Sequence, residues 1–304
     1  MTIRESNTTV SSTQARPIPQ EAFDWYDEYA HGLIDRRTFM ARLAGLTALG
    51  FTMATLTTAL MPNYALAEQV SFNDEDISAS YVTFDSPKGH ATGRGYLVTP
   101  KGLTTKAPVV LVVHENRGLN PYIEDVARRA AKQGFIAFAP DALHPLGGYP
   151  GNDDQGRSMQ SSLDKMKVEE DFIAAAHFIK NHELSTGKLG VVGFCFGGYI
   201  VNMLAAAIPD AVDAGAPFYG TPPAEEIRGN IKAPLQLHFG ELDTRVNGTW
   251  PDYEKVLKAN KVDYTAYVYD NVNHGFHNDS TARYSETEAE LAWSRTMAFF
   301  KDQL

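Results

Sequence analysis

The stretch Val191-Val192-Gly193-Phe194-Cys195-Phe196-Gly197-Gly198-Tyr199-Ile200 constrains this chain more than any other. An apolar run stops at a glycine, the only cysteine of the protein follows one residue later, and two glycines come next. This is the pattern of a nucleophile elbow: a strand, one reactive side chain on a strained turn, then a helix. Neighbours without a Cβ let strand and helix pass closely while the central residue takes an awkward backbone conformation. Taken alone, Cys195 reads more readily as a small buried hydrophobe, as most free cysteines are. Its role has to come from the rest of the chain.

A length of 304 residues suits one large α/β domain or two small ones. The formal charge of -10 leaves no basic stripe to neutralise phosphates, which argues against a nucleic-acid surface. A single cysteine forms no internal disulfide and cannot build a thiolate zinc site. No repeat of fixed period interrupts the pattern.

Residues 1–67 read as an address rather than as part of the fold. Met1 to Gln20 is polar and unpatterned, Asp35-Arg36-Arg37-Thr38-Phe39-Met40 carries adjacent arginines, and Leu43 to Leu60 holds no charge. Ala65-Leu66-Ala67 then offers small residues where a signal peptidase reads them. The segment resembles a twin-arginine export signal with cleavage after Ala67, which implies a periplasmic or secreted product. Five threonines and two glycines keep the apolar run weakly hydrophobic, as such signals are. Asp35 departs from the serine or threonine usual before the arginine pair. The competing reading is an uncleaved membrane helix, since 18 uncharged residues nearly span a bilayer. No cysteine follows the apolar run, which argues against a lipoprotein anchor. Cleavage leaves 22 basic against 31 acidic residues, so the mature chain, 68–304, stays acidic.

In that chain Ser78–Phe84 and Gly95–Thr99 are predicted to pair as an antiparallel hairpin. Pro108–Val113 is a continuous apolar run, the mark of a strand buried on both faces. Asn120 before Pro121 starts a helix that closes on Gly134. Phe135–Ala139 is the next buried strand, and Pro140–Gln160 reads as a long loop able to line a site, with Tyr149–Gly156 at its rim. A helix over 163–182 precedes the elbow strand, Lys188–Phe194, and another runs through Ala207. Val212–Tyr219, Leu235–Phe239 and Tyr264–Tyr269 complete the strands, with helices near 251–260 and 286–301. Ser285 and Glu288 have capping-box spacing at the last helix. This alternation means α/β architecture, a mostly parallel sheet with helices on both faces and reactive residues at the carboxyl ends of strands.

Three strand ends carry the residue types of covalent catalysis. Cys195 follows one strand, Asp243 another in Gly240-Glu241-Leu242-Asp243, and His274 a third. Nucleophile, acid, histidine is the chain order of α/β-hydrolases, with cysteine where serine is usual. A thiol attacks as thiolate, an imidazole holds or returns the proton, and a carboxylate fixes the imidazole's tautomer. Glu115, directly after the first buried strand, has its own rationale: a carboxylate beside a thiol and away from water exchanges a proton with sulfur. As plain structure it is a surface glutamate. His114 satisfies a backbone partner, His277 lines the pocket or the surface, His274 and His277 make a weak metal pair, and Trp250, Tyr219 and Phe218 read as core or substrate contacts.

From about Ser78 to the C-terminus the chain resembles the dienelactone hydrolase family of the α/β-hydrolase fold. The resemblance rests on Gly193-Phe194-Cys195-Phe196-Gly197-Gly198, Gly240-Glu241-Leu242-Asp243, Asn273-His274-Gly275-Phe276 and Glu115. It implies Cys195 as nucleophile, His274 as base, Asp243 as orienting acid, and Glu115 as a group that takes the thiol proton when substrate arrives. It also implies an oxyanion hole from the backbone N–H groups of Asn116 and Phe196. The latter opens a helix, where free N–H groups point outward. The implied reaction is hydrolysis of a small lactone or carboxylic ester through a thioacyl intermediate, with no metal or organic cofactor. An acyltransferase, a general carboxylesterase, or a noncatalytic, membrane-tethered binding protein on the same fold are the alternatives. The chain departs from the family where a substrate carboxylate is held: no arginine follows His274 until Arg283, leaving Arg117 and Arg157 as substitutes.

Overall fold

In the computed structural model the described residues are 18–30, 32–60 and 62–304, and they divide into two compact units with the boundary after Leu60. The polar stretch before Ile18 lies outside the described residues. In the first unit, α1 (Gln20–Ala30), α2 (Arg36–Gly45) and α3 (Met53–Leu60) surround a small core of Ala22, Tyr26, Tyr29, Phe39, Leu43, Leu46, Leu56 and Leu60. Asp35 has a structural role here. Its carboxylate accepts from the Thr38 N–H at 2.7 Å and caps the helix that carries Arg36 and Arg37. The uncharged run 43–60 is broken into the end of α2, a 3-10 turn at Leu46–Leu49 and α3, with Gly50 at φ 91° in the left-handed region. No helix among the described residues is long and apolar enough to cross a membrane.

The second unit opens with the short α4 (Tyr64–Ala67), so residues 62–67 belong with the strands after them rather than with the helices before them. Strands β1 (Ile77–Ser86) and β2 (Ala91–Pro100) pair antiparallel from Ile77↔Pro100 to Ser86↔Ala91, longer than the sequence predicts but in the expected hairpin. There follow β3 (Ala107–Val113), α5 (Pro121–Lys132), β4 (Ile136–Pro140), α6 (Asp153–Ser162), α7 (Lys165–Lys180), β5 (Ser185–Phe194) and α8 (Phe196–Ala207). The chain then forms β6 (Ala214–Phe218), β7 (Leu235–Gly240), α9 (Thr244–Asn247), α10 (Trp250–Ala259), β8 (Tyr264–Tyr269) and α11 (Glu286–Gln303).

These described strands make one sheet in the order β1-β2-β4-β3-β5-β6-β7-β8, antiparallel through β4 and parallel from β4 to β8. The continuous apolar run of β3 is explained by its central place. Val109, Leu111 and Val113 face a core built with α7, α8 and α10, while Val110 and Val112 face one built with α5 and α11. Each such buried side chain contributes about 1.5–3 kcal/mol relative to exposure.

Two expectations change. The stretch 140–160 is not all loop: Asn152 caps α6 by accepting from the Gln155 N–H at 3.0 Å, and two aspartates follow in the first turn. Its sequence, Asp-Asp-Gln-Gly-Arg-Ser-Met-Gln-Ser-Ser, has no apolar stripe, which is why periodicity misses it. Ser285 starts α11, but its side chain makes no capping bond; its N–H donates to Phe276 O at 3.0 Å and so serves the preceding loop.

The elbow depends on glycines with no room for a Cβ. One added at Gly197 would lie 2.3 Å from Val113 O, and one at Gly198 2.5 Å from Phe218 O. Gly197→Ala is therefore expected to lower stability by about 1–3 kcal/mol through overpacking against backbone. An unchanged melting temperature would contradict this close approach.

Candidate active site

Cys195 sits between β5 and α8 at φ 57° and ψ -111°, a conformation that a non-glycine residue adopts only when its surroundings impose it. The Cys195 N–H donates to Phe218 O at 3.1 Å, and the Tyr199 N–H donates to Cys195 O at 3.1 Å, so both sides of the turn are fixed. The thiol is in no disulfide and only 9% exposed. Phe196 is the first residue of α8, where the N–H has no carbonyl one turn back to bond. Asn116 lies in the turn after β3, the strand beside β5, at the same end of the sheet. Asn116 and Phe196 thus follow the ends of the neighbouring strands β3 and β5.

Asp243 and His274 meet. His274 Nδ1 lies 2.6 Å from Asp243 Oδ2, and both side chains are buried. Their loops are stitched together below them: the Glu241 N–H donates to Tyr269 O at 2.9 Å and the Leu242 N–H to Val272 O at 3.0 Å. Asp243 also caps α9 by accepting from the Val246 N–H at 3.1 Å. Burial pushes its carboxyl upward, but His274, the Val246 N–H and Arg245 outweigh that and hold it below the usual carboxylate value. An ionised Asp243 draws the proton of His274 to Nδ1, leaving Nε2 as the basic nitrogen. Tyr219, the residue after β6, packs its ring 4.8 Å from the imidazole at φ 37°.

Glu115 is buried at 4% exposure, so the surface reading of this residue is excluded. Its Oε2 accepts from Asn278 Nδ2 at 2.8 Å. Burial first, and then Cys195, push its carboxyl upward, opposed by the positive charges of Arg117 and Arg283 and by His274. Just before it, His114 accepts from the Ala142 N–H on Nε2 at 3.1 Å and therefore donates from Nδ1 to Glu115 O at 2.5 Å. His114 is thus a neutral prop for the backbone of this turn, its pKa lowered by burial, as its strand-end position led us to expect.

The structure brings Glu115, Cys195, Tyr219, Asp243 and His274 to one edge, each just beyond the carboxyl end of a neighbouring strand. His277 is not a surface residue. It is 2% exposed, stacks on Phe194 at 4.9 Å and takes a hydrogen bond of 2.7 Å with the Tyr122 hydroxyl. Among the described residues no metal-ligating cluster is present. Phe218 is core, against Phe194, and the half-buried Trp250 packs on the core at Phe239. Arg117 is engaged by Asp153 at 3.1 Å. Arg283, nine residues after the histidine, folds back so that its Cζ lies 2.9 Å from where a Gly275 Cβ would be. Sequence reasoning missed Asn278 and the return of Arg283. Only their place in the loop that carries His274 could have flagged them.

Comparison with known proteins agrees with this architecture. Residues 94–304 match the family described as "Dienelactone hydrolase family", and residues 11–48 match one described as "YqhI-like". The chain is 61% identical over 113 residues to a "Putative hydrolase fragment YghX" of Escherichia coli (strain K12), covering 37% of this chain and 97% of that one. It is 37% identical over 221 residues to a "Putative carboxymethylenebutenolidase" of Aquifex aeolicus (strain VF5), covering 69% and 94%. Among solved structures it resembles a "Putative Dienelactone Hydrolase" from Klebsiella pneumoniae, with a TM-score of 0.65, 25% identity, and coverage of 74% of this chain and 99% of that one. The fold is that of the α/β-hydrolases.

The raised pKa of Glu115 has a stability consequence. A carboxyl whose folded pKa lies above its unfolded value contributes stability below the unfolded value, and loses it as pH rises through the folded one. Glu115→Gln is therefore expected to raise the melting temperature at pH 8. The gain should shrink toward pH 5. A variant less stable than wild type at pH 8 would show that ionised Glu115 is not held at a cost.

Proposed function

The chain belongs to the dienelactone hydrolase family, and we propose that it hydrolyses small lactones or carboxylic esters through a thioacyl intermediate on Cys195. The observation that carries this reading is the buried cysteine at φ 57° on the elbow, at the same sheet edge as the 2.6 Å Asp243–His274 pair and Glu115. On substrate arrival Glu115 takes the thiol proton, and the thiolate attacks the carbonyl carbon. The tetrahedral oxyanion is received by the N–H groups of Asn116 and Phe196, each worth about 3 kcal/mol to the transition state. Collapse breaks the C–O bond, and the leaving oxygen departs with the proton that Glu115 took from the thiol, which returns Glu115 to its carboxylate. Water, giving a proton to His274 Nε2, then attacks the thioester; collapse breaks the C–S bond, releases the acid, and the imidazolium returns its proton to the Cys195 thiolate. Asp243 stabilises the imidazolium formed in that step.

Arg245 Nη2 lies 3.4 Å from His274 Nδ1, and Arg283 packs on Gly275. Two guanidinium groups flanking the histidine support a substrate with an anionic group. Export through the Arg36–Arg37 signal is part of the same reading, and the mass of the exported protein tests it.

Cys195→Ala is expected to lower kcat/KM on an activated aryl ester about 10³-fold or more. Cys195→Ser should keep a measurable fraction, since it retains a nucleophile. Arg283→Met should raise KM for a carboxylate-bearing lactone more than for a neutral ester. An alanine variant as fast as wild type would sink the nucleophile assignment.

A further inference from the structure

A cut after Ala67 would remove residues that the second unit uses. The Asn63 N–H donates to Ser280 O at 2.6 Å. The Tyr64 hydroxyl donates to Asp153 Oδ1 at 2.7 Å and accepts from Asn120 Nδ2 at 2.9 Å, with its ring edge-on to Tyr149. Farther along, the Gln69 and Val70 N–H groups donate to the Asp125 carboxylate at 3.1 and 2.8 Å, and Arg128 Nε donates to Val70 O at 2.6 Å. Gln69 Nε2 also reaches Asp279 Oδ2 at 2.8 Å. Residues 63–70 thus form a strap across α5 and the loop that follows His274.

Both anchor points of the strap lie one residue from the candidate machinery. Asp153 uses its second oxygen to hold Arg117 at 3.1 Å, and Arg117 follows Asn116 in the turn that carries Glu115. On the other side Ser280 donates through N and Oγ to Asn278 Oδ1 at 3.1 and 2.6 Å, and Asn278 holds Glu115. The Glu115–Asn116–Arg117 turn is therefore fixed from two directions, and Tyr64 stands at the first of them. Burial, then Asp153 and Tyr149, push the Tyr64 phenol upward, so it stays a proton donor throughout the working pH range. Its loss would leave Asp153 Oδ1 with the Tyr149 hydroxyl at 2.7 Å.

We propose that Tyr64 is a positioning residue of the hydrolase site, acting through Asp153 on the Glu115–Arg117 turn, so that the chain in its working form keeps residues 62–67. This rests on the roles proposed above for Glu115 and Cys195. A cut after Ala67 lowers turnover by releasing the turn, which makes that bond a point at which processing sets activity.

The test uses the full chain with Tyr64→Phe, Asp153→Asn and the pair. Tyr64→Phe keeps the ring and deletes one hydroxyl. It is expected to lower kcat on an activated aryl ester about 3–10-fold, the effect of one hydrogen bond, with KM little changed. The double variant should be no worse than Asp153→Asn, because both act through one contact. A second readout needs no ester turnover: the pH profile of alkylation of Cys195, the only thiol, by iodoacetamide. It should shift in Tyr64→Phe because Glu115 moves relative to the sulfur. An alkylation profile identical to wild type overturns the proposal, even if the wild type hydrolyses no ester and the functional reading fails by itself. Additive kcat losses in the double variant overturn it too.

Discussion

The close approach of backbone to backbone around Cys195 is the constraint on which the rest of the site depends. Gly193, Gly197 and Gly198 each stand where a Cβ would lie within 2.5 Å of a backbone atom. Their contacts run to Gly197 itself, to β3 at Val113, and to the end of β6 at Phe218. With three strands and a helix converging at that distance, the residue at the turn has one conformation open to it, at φ 57°. The same packing sets the direction of Phe196, the first residue of α8, and places the turn after β3 beside the sulfur. Strain at one residue is thus imposed by contacts that also position its neighbours.

Around that turn two carboxylates are driven in opposite directions by their surroundings. Asp243 has the histidine, a backbone N–H and Arg245 to favour its charge, whereas Glu115 has burial and the sulfur against it. An acid held ionised orients an imidazole, and an acid held closer to neutrality can exchange a proton with a thiol. The difference in environment separates their chemistry, although both are short acidic side chains just past a strand end. Asn278 and His114 keep Glu115 in place from the side chain and the backbone respectively.

Much of this was legible in the sequence because strand ends announce themselves. Apolar runs that stop at Gly193, Phe239 and Tyr269 mark where Cys195, Asp243 and His274 must emerge, and parallel topology brings those ends together. The hidden part depends on tertiary contacts between polar groups. Asp153 and Tyr64 are 89 residues apart, and Glu115 and Asn278 are 163 apart, so no local pattern relates them. Helix α6 was missed because it is polar along its length, and Asp35 looked like a flaw in an export motif when its carboxylate caps a helix. The uncharged run 43–60 read as one segment, but Gly45 and Gly50 divide it into short helical pieces with a core of their own.

The central claim is that the strained cysteine carries the acyl group. Intact and peptide mass spectrometry of the enzyme quenched during turnover of a slowly deacylating ester addresses it directly. The account predicts an acyl adduct on the peptide containing Cys195, formed and lost at rates that match turnover. Turnover without any adduct on that peptide, or with the adduct on another residue, would contradict it.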